Sequence, residues 1–153
     1  MSKLKVLYVD SQKDYASKLL TYLIDSNYDV KFSENIKEAL ISYSKNKPDL
    51  IICDSHINSI NSCAFLKKIK MQDNNLKLIV ISNNTDHETF LNIIDLKVDK
   101  FFFKSQSFLE INAYIKTLEI IKNEHTNEQN NESNLELINL GNDFFYTKDE
   151  NKI

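Results

Sequence analysis

Short apolar runs alternate with segments of helical periodicity along the first 124 residues of the chain. A short unbroken apolar run is typical of a strand buried on both faces of a parallel sheet, whereas apolar residues spaced by three and four indicate a helix. The predicted strands are 4–9, 28–32, 50–54, 76–81 and 101–103. A helical segment follows each of them, so the pattern predicts an α/β domain with a five-stranded, doubly wound parallel sheet.

Each predicted helix places apolar residues on one face, which we expect to pack on the sheet. Either Ser33 or Asn35 can cap the second helix, and Asp86 begins the fourth. The inward positions are Ala16, Leu19, Leu20 and Leu23, then Ile36, Ala39, Leu40 and Tyr43, then Phe65, Leu66 and Ile69, then Phe90, Ile93 and Ile94, and finally Ile111, Ile115, Leu118 and Ile121.

Polar side chains stand where four of the predicted strands end. Asp10 follows the first strand and Asp54 ends the third, while Ser82 and Lys104 end the fourth and fifth. Right-handed crossovers place the carboxyl ends of parallel strands at one edge of the sheet, where open α/β sheets bind ligands. Taken alone, Asp54 could equally be the cap of the next helix. Two carboxylates, a hydroxyl and an ammonium at one edge predict a functional site.

Composition narrows the classes of protein to which the chain can belong. A hydrophobic fraction of 42% suffices for a real core, and a net charge of −3 gives no case for a nucleic-acid surface. With one Gly and one Pro, the turns must be made by Asn, Asp and Ser. No apolar run reaches the length of a membrane span and the N-terminus lacks a signal-peptide core, so we expect a cytoplasmic protein.

Two other kinds of site are disfavoured by the spacing of residues. The two cysteines, Cys53 and Cys63, do not make a disulfide framework, and with His56 they match no common zinc pattern. A nucleotide-binding Rossmann enzyme is a poor fit, because no glycine-rich turn follows the first strand.

The C-terminal part of the chain changes character. Residues 125–134 are entirely polar and predict a flexible linker after a domain that covers 1–124. Strand-like character resumes at 135–140 and 144–146 around a Gly-Asn-Asp turn, which predicts a partial β-hairpin within 135–153. A lone hairpin is marginal in water, so it must pack on something, pair with another copy or open a further domain.

The constellation resembles the receiver (CheY-like) domain of two-component response regulators, with its (βα)5 flavodoxin-like fold. Asp10 is similar to the first residue of the family's acidic pair, and Asp54 to its phosphoacceptor. Ser82 resembles the Ser/Thr switch and Lys104 the characteristic lysine. Phe101, three residues before Lys104, matches the aromatic switch position, although a core aromatic is an equally good interpretation. The resemblance thus implies that Asp54, Ser82 and Lys104 carry the chemistry.

The resemblance covers about residues 3–123 and implies phosphorelay signalling. A sensor histidine kinase would donate a phosphoryl group to Asp54, and the chain would be no enzyme beyond self-phosphorylation and self-dephosphorylation. Mg²⁺ would be held by Asp10, Asp54 and the backbone carbonyl of His56. Ser11 stands where the family has a second acidic ligand, and a hydroxyl binds Mg²⁺ less well, so we expect a weakened site.

Several positions depart from the family pattern. Besides Ser11, the pair Asn58-Ser59 replaces a usual Pro-Gly pair, and Ser105 replaces a proline that follows the lysine through a cis peptide. The Lys104–Ser105 bond is therefore either trans with an altered loop or cis with a strained one. These departures favour an alternative function, a pseudo-receiver that binds a protein partner without phosphorylation.

The resemblance also implies partners. The face made by the fourth helix, fifth strand and fifth helix could form a homodimer or contact an effector. The tail at 137–145 weakly resembles the first hairpin of the winged-helix effector domain in OmpR-type transcription regulators. No recognition helix follows, so we expect DNA binding only if a complete effector domain continues the chain, and no membrane partner.

Overall fold

The computed structural model describes residues 3–83 and 86–130, and side chains to residue 124. The helices are α1 (Lys13–Asp25), α2 (Ile36–Lys45), α3 (Cys63–Gln72), α4 (His87–Leu96) and α5 (Phe108–Asn130). The strands are β1 (Lys5–Val9), β2 (Asp29–Ser33), β3 (Leu50–Asp54), β4 (His56–Ile57), β5 (Ile60–Asn61), β6 (Lys77–Ser82) and β7 (Lys100–Phe103). Helices α1–α4 and the start of α5 belong with the strands to a compact unit that ends at Ile115.

Five strands form a parallel sheet in the order β2-β1-β3-β6-β7, which confirms the predicted architecture. Strand β3 lies at the centre, and Leu50, Ile51 and Ile52 are fully buried. Burying such an aliphatic side chain contributes about 1.5–3 kcal/mol. The third predicted strand therefore anchors the core, and its last residue, Asp54, is held firmly at the sheet edge.

The inward faces of the helices were predicted correctly except at their borders. Ala39 and Ile93 are buried, but four positions predicted to face inward are exposed, namely Leu40 at 39%, Phe90 at 45%, Ile94 at 56% and Ile121 at 47%. Successive residues lie about 100° apart around a helix, so a residue next to an inward position can face solvent. Asn35 is the cap of α2, because its side chain accepts a hydrogen bond from the Glu38 amide.

Side chains of strand β7 alternate between buried and more exposed positions, as successive residues of a strand do. Phe102 is buried, whereas Phe103 is 42% exposed, and the rings of Phe101 and Phe103 meet edge to face with centroids 5.0 Å apart. The Lys104–Ser105 peptide is trans, as are the other peptide bonds of the described residues. Of the two alternatives for this bond, the trans form is the one adopted.

Helix α5 runs further than the sequence analysis expects. It continues to Asn130, inside the stretch 125–134 for which we predict a flexible linker. Polar residues such as Asn, Glu and Gln do not stop a helix as Gly or Pro would, and neither occurs between Phe108 and Asn130. The predicted hairpin within 135–153 lies outside the described residues. No helix of the described residues is long and apolar enough to cross a bilayer.

The segment after Asp54, to which the sequence analysis assigns no strand, forms a two-stranded antiparallel hairpin, β4–β5. Its two central residues, Asn58 and Ser59, both have positive φ, at 52° and 66°. Two such residues are typical of a type I′ turn, for which Asn-Gly is the preferred pair. Asn58-Ser59 thus makes a tight turn where the family pattern has Pro-Gly.

Replacing Ser59 with glycine is expected to raise the free energy of unfolding by about 0.5 kcal/mol. A left-handed residue that carries a Cβ atom costs about 1–2 kcal/mol, and this relief outweighs the extra freedom of glycine in the unfolded chain. Urea denaturation followed by circular dichroism measures the change. Ser59→Ala is the control and should not stabilise, so equal effects of the two variants would contradict the prediction.

Candidate functional site

Three of the four polar strand ends meet directly at the carboxyl edge of the sheet, as the sequence analysis predicts. The Lys104 ammonium lies 2.7 Å from Asp54 Oδ2 and 2.9 Å from Asp10 Oδ2. The three side chains are almost inaccessible to solvent, with exposed fractions of 2% for Lys104, 10% for Asp54 and 0% for Asp10. One buried cation thus bridges two carboxylates that would otherwise repel each other.

Lys104 has two further contacts that the sequence analysis missed. Its ammonium donates a hydrogen bond of 2.7 Å to Gln12 Oε1 and lies 4.7 Å from the centroid of the Tyr15 ring. The Gln12 side chain also accepts a hydrogen bond from Asn83 Nδ2 at 3.0 Å. The amide of Gln12 therefore ties the ammonium to the loop after β6. No spacing rule singles out a glutamine just before a helix, so this contact required the structure.

Every oxygen of the Asp10 carboxylate is engaged. Asp10 Oδ1 accepts the backbone N–H of Gln12 at 2.9 Å and a Lys104 proton at 3.1 Å. Asp10 Oδ2 accepts the Tyr8 hydroxyl at 2.7 Å and lies 2.9 Å from the Lys104 ammonium. Burial and the nearby Asp10 charge raise the pKa of Tyr8, so this phenol remains a hydrogen-bond donor. Tyr8 was assigned only to the first strand by the sequence analysis.

Asp54 is the carboxylate with access to solvent. Its Oδ1 accepts a long hydrogen bond of 3.2 Å from the backbone N–H of His56, and its Oδ2 is held by Lys104. Burial raises the pKa of Asp54 above the ordinary carboxyl value, although the hydrogen bond and charge of Lys104 oppose the shift. The carboxylate is thus partly desolvated, which removes some of the water that would shield a nucleophile.

Ser82 joins the site through a second serine. The fully buried Ser55 donates a hydrogen bond of 2.8 Å to the Ser82 hydroxyl, and its Oγ also lies 3.0 Å from His56 Nδ1. Ser62, also fully buried, donates to the backbone carbonyl of Asp54 at 2.6 Å. The sequence analysis named Ser82 but missed Ser55, although the residue after a strand-end carboxylate at this buried edge is a reasonable candidate.

Two predicted residues have roles elsewhere. The Ser11 hydroxyl accepts the Asn58 backbone N–H at 2.8 Å, so it holds the β4–β5 turn. Phe101 is paired with Val80 on β6 and packs, partly buried, against the hydrophobic core. This arrangement agrees with the interpretation of Phe101 as a core aromatic.

An open cavity of about 330 Å³ lies beside Asp54. Its lining is polar and consists of Asp54, Ser11, Gln12, Ser55, His56, Ser59, Ser82 and Asn83. Asp10 does not line this cavity. A small anionic donor entering here would meet hydroxyl and amide groups before it reached the Asp54 carboxylate.

The donors at this edge suit Mg²⁺ in chemistry. Mg²⁺ prefers oxygen ligands and usually takes one or two carboxylates, with waters and phosphate oxygens completing its shell. Asp10, Asp54 and the backbone carbonyl of His56 are oxygen donors of this kind. The described residues contain no group of three or more His, Cys, Asp and Glu side chains that could hold a metal. The fit to Mg²⁺ therefore rests on two carboxylates and one carbonyl, with water or phosphate oxygens as the other ligands.

Comparison with known proteins identifies relatives for most of the chain. A family model described as "Response regulator receiver domain" matches residues 6–116. The alkaline phosphatase synthesis transcriptional regulatory protein PhoP of Bacillus subtilis is 25% identical over 114 residues, which are 74% of this chain and 48% of that protein. The probable transcriptional regulator ycf27 of Porphyridium aerugineum is 24% identical over 141 residues, 92% of this chain and 58% of that protein. The chain spans about half the length of these relatives.

Solved structures support the fold. A receiver domain protein (CheY-like) from Methanospirillum hungatei superimposes with a TM-score of 0.73 at 18% identity, over 80% of this chain and 99% of that one. The N-terminal domain of an uncharacterized protein from Wolinella succinogenes gives a TM-score of 0.70 at 25% identity, over 78% of this chain and 96% of that one. These likenesses confirm the α/β architecture that the apolar pattern predicts.

Proposed function

Since the chain belongs to the response regulator receiver family, whose model matches residues 6–116, we propose that it is a phosphorylation-dependent switch. In this proposal Asp54 accepts a phosphoryl group from a sensor histidine kinase. One observation carries the assignment of Asp54. Its carboxylate is the one that borders the open cavity, while the Lys104 ammonium lies 2.7 Å from its Oδ2. A nucleophile with a cation beside it is suited to phosphoryl transfer.

The chemistry follows from the charges at the site. An Asp54 oxygen attacks phosphorus, forms an acyl phosphate, and the leaving group departs with the electrons of the broken bond. The acyl phosphate carries up to about two negative charges where the free carboxylate carried one, and Lys104 opposes this charge. Mg²⁺, held by Asp10, Asp54 and the His56 carbonyl, would supply further positive charge to the phosphoryl oxygens when bound. The Ser82 hydroxyl would donate a hydrogen bond to the new group.

The response to phosphorylation would begin at Ser82. In the described state Ser82 is bonded to Ser55, and turning toward a phosphoryl group would break this bond. Phe101 lies on the adjacent strand β7, so its ring could follow, as the family's aromatic switch does. Such a local charge change that biases a two-state element is typical of signalling switches.

The output face is proposed to lie at α4, β7 and α5, where a second copy or an effector would bind. The exposed apolar side chains of α4 and β7 support this proposal: Phe90, Leu91, Ile94 and Phe103 are between 42% and 56% exposed. Exposed apolar side chains that cluster on one face mark interaction sites more often than scattered ones do. Transcription regulation, as in the named relatives, would require a complete effector domain. The resemblance of the tail to the start of such a domain stays a prediction. The cytoplasmic location also stays a prediction.

A second candidate function is a pseudo-receiver that binds its partner without phosphorylation. The engagement of the Ser11 hydroxyl with the Asn58 amide favours it, because the position of the family's second acid serves the turn instead. Both candidates agree that the chain has no enzymatic activity beyond chemistry on its own aspartate. They differ in whether Asp54 reacts.

The test is intact mass spectrometry after incubation with acetyl phosphate, with and without Mg²⁺. We expect a gain of one phosphoryl mass that requires Mg²⁺ and disappears in Asp54→Asn, because an amide cannot form the acyl phosphate. Asp73→Asn, a change in a partly exposed turn residue that does not line the cavity, is the matched control and should be modified like the wild type. No gain under conditions that modify an ordinary receiver domain would favour the pseudo-receiver.

A further inference from the structure

Among the described residues, Tyr8 has the one neutral side chain that donates a hydrogen bond to the Asp10 carboxylate. Tyr8 is fully buried, its hydroxyl lies 2.7 Å from Asp10 Oδ2, and its ring packs against Phe32 with centroids 5.4 Å apart. Side chains two residues apart along a strand point to the same face of the sheet. Tyr8 in β1 and Asp10, directly after β1, are therefore neighbours on one face. The ring is fixed by packing, and its hydroxyl has little freedom to leave the carboxylate.

With this hydroxyl in place, both oxygens of Asp10 already accept hydrogen bonds. Oδ1 accepts the Gln12 N–H and one Lys104 proton, while Oδ2 accepts the Tyr8 hydroxyl and lies 2.9 Å from the Lys104 ammonium. A carboxylate offers about four lone-pair sites in all. The remaining lone pair is on Oδ2, which the Lys104 ammonium approaches to 2.9 Å, so a cation at Oδ2 would have to displace the Tyr8 hydroxyl or move Lys104. Moving Lys104 would also uncover the charge of Asp54.

We propose that Tyr8 restrains the affinity of this receiver for divalent cations, because its hydroxyl occupies the Asp10 oxygen that a metal ion would otherwise take. This inference rests on the proposed function, in which Asp10 helps to hold Mg²⁺. It adds a second cause of weak metal binding to the one expected at Ser11. The two causes act on different ligand positions, so they can be separated by substitution.

The experiment is a calorimetric titration of the full chain with Mg²⁺, repeated with Mn²⁺ detected by electron paramagnetic resonance. Tyr8→Phe keeps the ring and removes only the hydroxyl, so we expect Mg²⁺ affinity to rise about 5-fold to 10-fold, the factor of one hydrogen bond. Tyr43→Phe, at a buried tyrosine in α2 outside the site, should leave the affinity unchanged. In the Asp10→Asn background, Tyr8→Phe should have no effect, since the hydroxyl acts through Asp10.

Two further measurements keep the outcome decisive. Ser11→Asp supplies a carboxylate at the position of the family's second acidic ligand. A higher Mg²⁺ affinity of this variant shows that the titration can detect an increase in affinity. If Tyr8→Phe binds Mg²⁺ no more tightly than the wild type while Ser11→Asp does, the inference is overturned. Should Tyr8→Phe not fold, the wild type still decides: saturating Mg²⁺ must change the ultraviolet difference spectrum of its tyrosines, and no change would also overturn the inference.

Failure of the proposed function is distinguishable from failure of this inference. If Asp54 is not phosphorylated but Tyr8→Phe binds Mg²⁺ more tightly, the role of Tyr8 stands and the switch does not. If Asp54 is phosphorylated and Tyr8→Phe has unchanged affinity, the switch stands and the role of Tyr8 does not.

Discussion

Replacing Lys104 with methionine is expected to lower the free energy of unfolding by about 3 kcal/mol at neutral pH. The substitution keeps the length of the side chain but removes the cation that lies within 3 Å of both Asp10 and Asp54. Leaving buried charges without a partner costs about 3–5 kcal/mol. We expect the lower end of this range, because Asp54 borders the open cavity and can gain water or a proton there. Urea denaturation of the two proteins measures the difference.

The deficit of Lys104→Met should depend on pH in a defined direction. Burial already raises the pKa of Asp54 in the wild type against the opposition of Lys104, and removing that opposition raises it further. A group whose pKa is higher in the folded state binds more protons there, so its contribution to stability is lost as pH rises above the unfolded carboxyl value of about 4. The difference between variant and wild type should therefore shrink as the pH falls from 7 toward about 4.

Two variants control for effects unrelated to the buried pairs. Lys77→Met removes a lysine whose 3.8 Å ion pair with Asp99 is solvent-exposed, and such pairs contribute about 0–1 kcal/mol. Adding Asp10→Asn to Lys104→Met removes one of the two unpaired charges and should recover part of the loss. If Lys77→Met destabilises as much as Lys104→Met, or the loss does not change with pH, the buried cation is not what holds this edge together.

The position of the site could be predicted from the sequence because few alternatives satisfy the rules for parallel sheets. The run 50–54 is apolar up to Asp54, and right-handed crossovers leave one edge for every strand end. Asp10, Asp54 and Lys104 follow from that rule, and the structure brings them within hydrogen-bond distance. Their mutual contacts needed no knowledge of side-chain packing beyond the strand order.

The partners of these residues could not be predicted in the same way. From the sequence, Tyr8 could be assigned to the apolar first strand but not given a hydrogen-bond partner. The structure shows that Tyr8 is fully buried, so its hydroxyl needs an acceptor inside the protein, and this acceptor is Asp10. Gln12 and Ser55 belong to no spacing pattern, since their contacts depend on the conformation of short loops. The turn at Asn58-Ser59 was missed for a related reason: without glycine, positive φ at two successive residues has a weak sequence signal.

Replacing Leu66 with alanine is expected to lower the free energy of unfolding by about 3 kcal/mol. Leu66 is fully buried on α3, in a hydrophobic cluster that also contains Ile51, Ile57 and Leu78. Such a truncation loses the transfer free energy of the removed methyl groups and leaves a cavity, which together cost about 2–5 kcal/mol. We expect the middle of this range, because the rigid strands β3 and β6 restrict collapse around the site. Thermal and urea denaturation measure the loss.

Met71 offers the matched control, because it lies on the same helix but is 79% exposed. Met71→Ala removes a side chain of similar size and should change the free energy of unfolding by less than about 0.5 kcal/mol. The contrast between the two positions follows only if α3 packs one face on the sheet, as a doubly wound architecture requires. A loss at Met71 as large as that at Leu66 would mean that the outer face of α3 is also covered in solution, and the assignment of this helix to the surface layer would have to be abandoned.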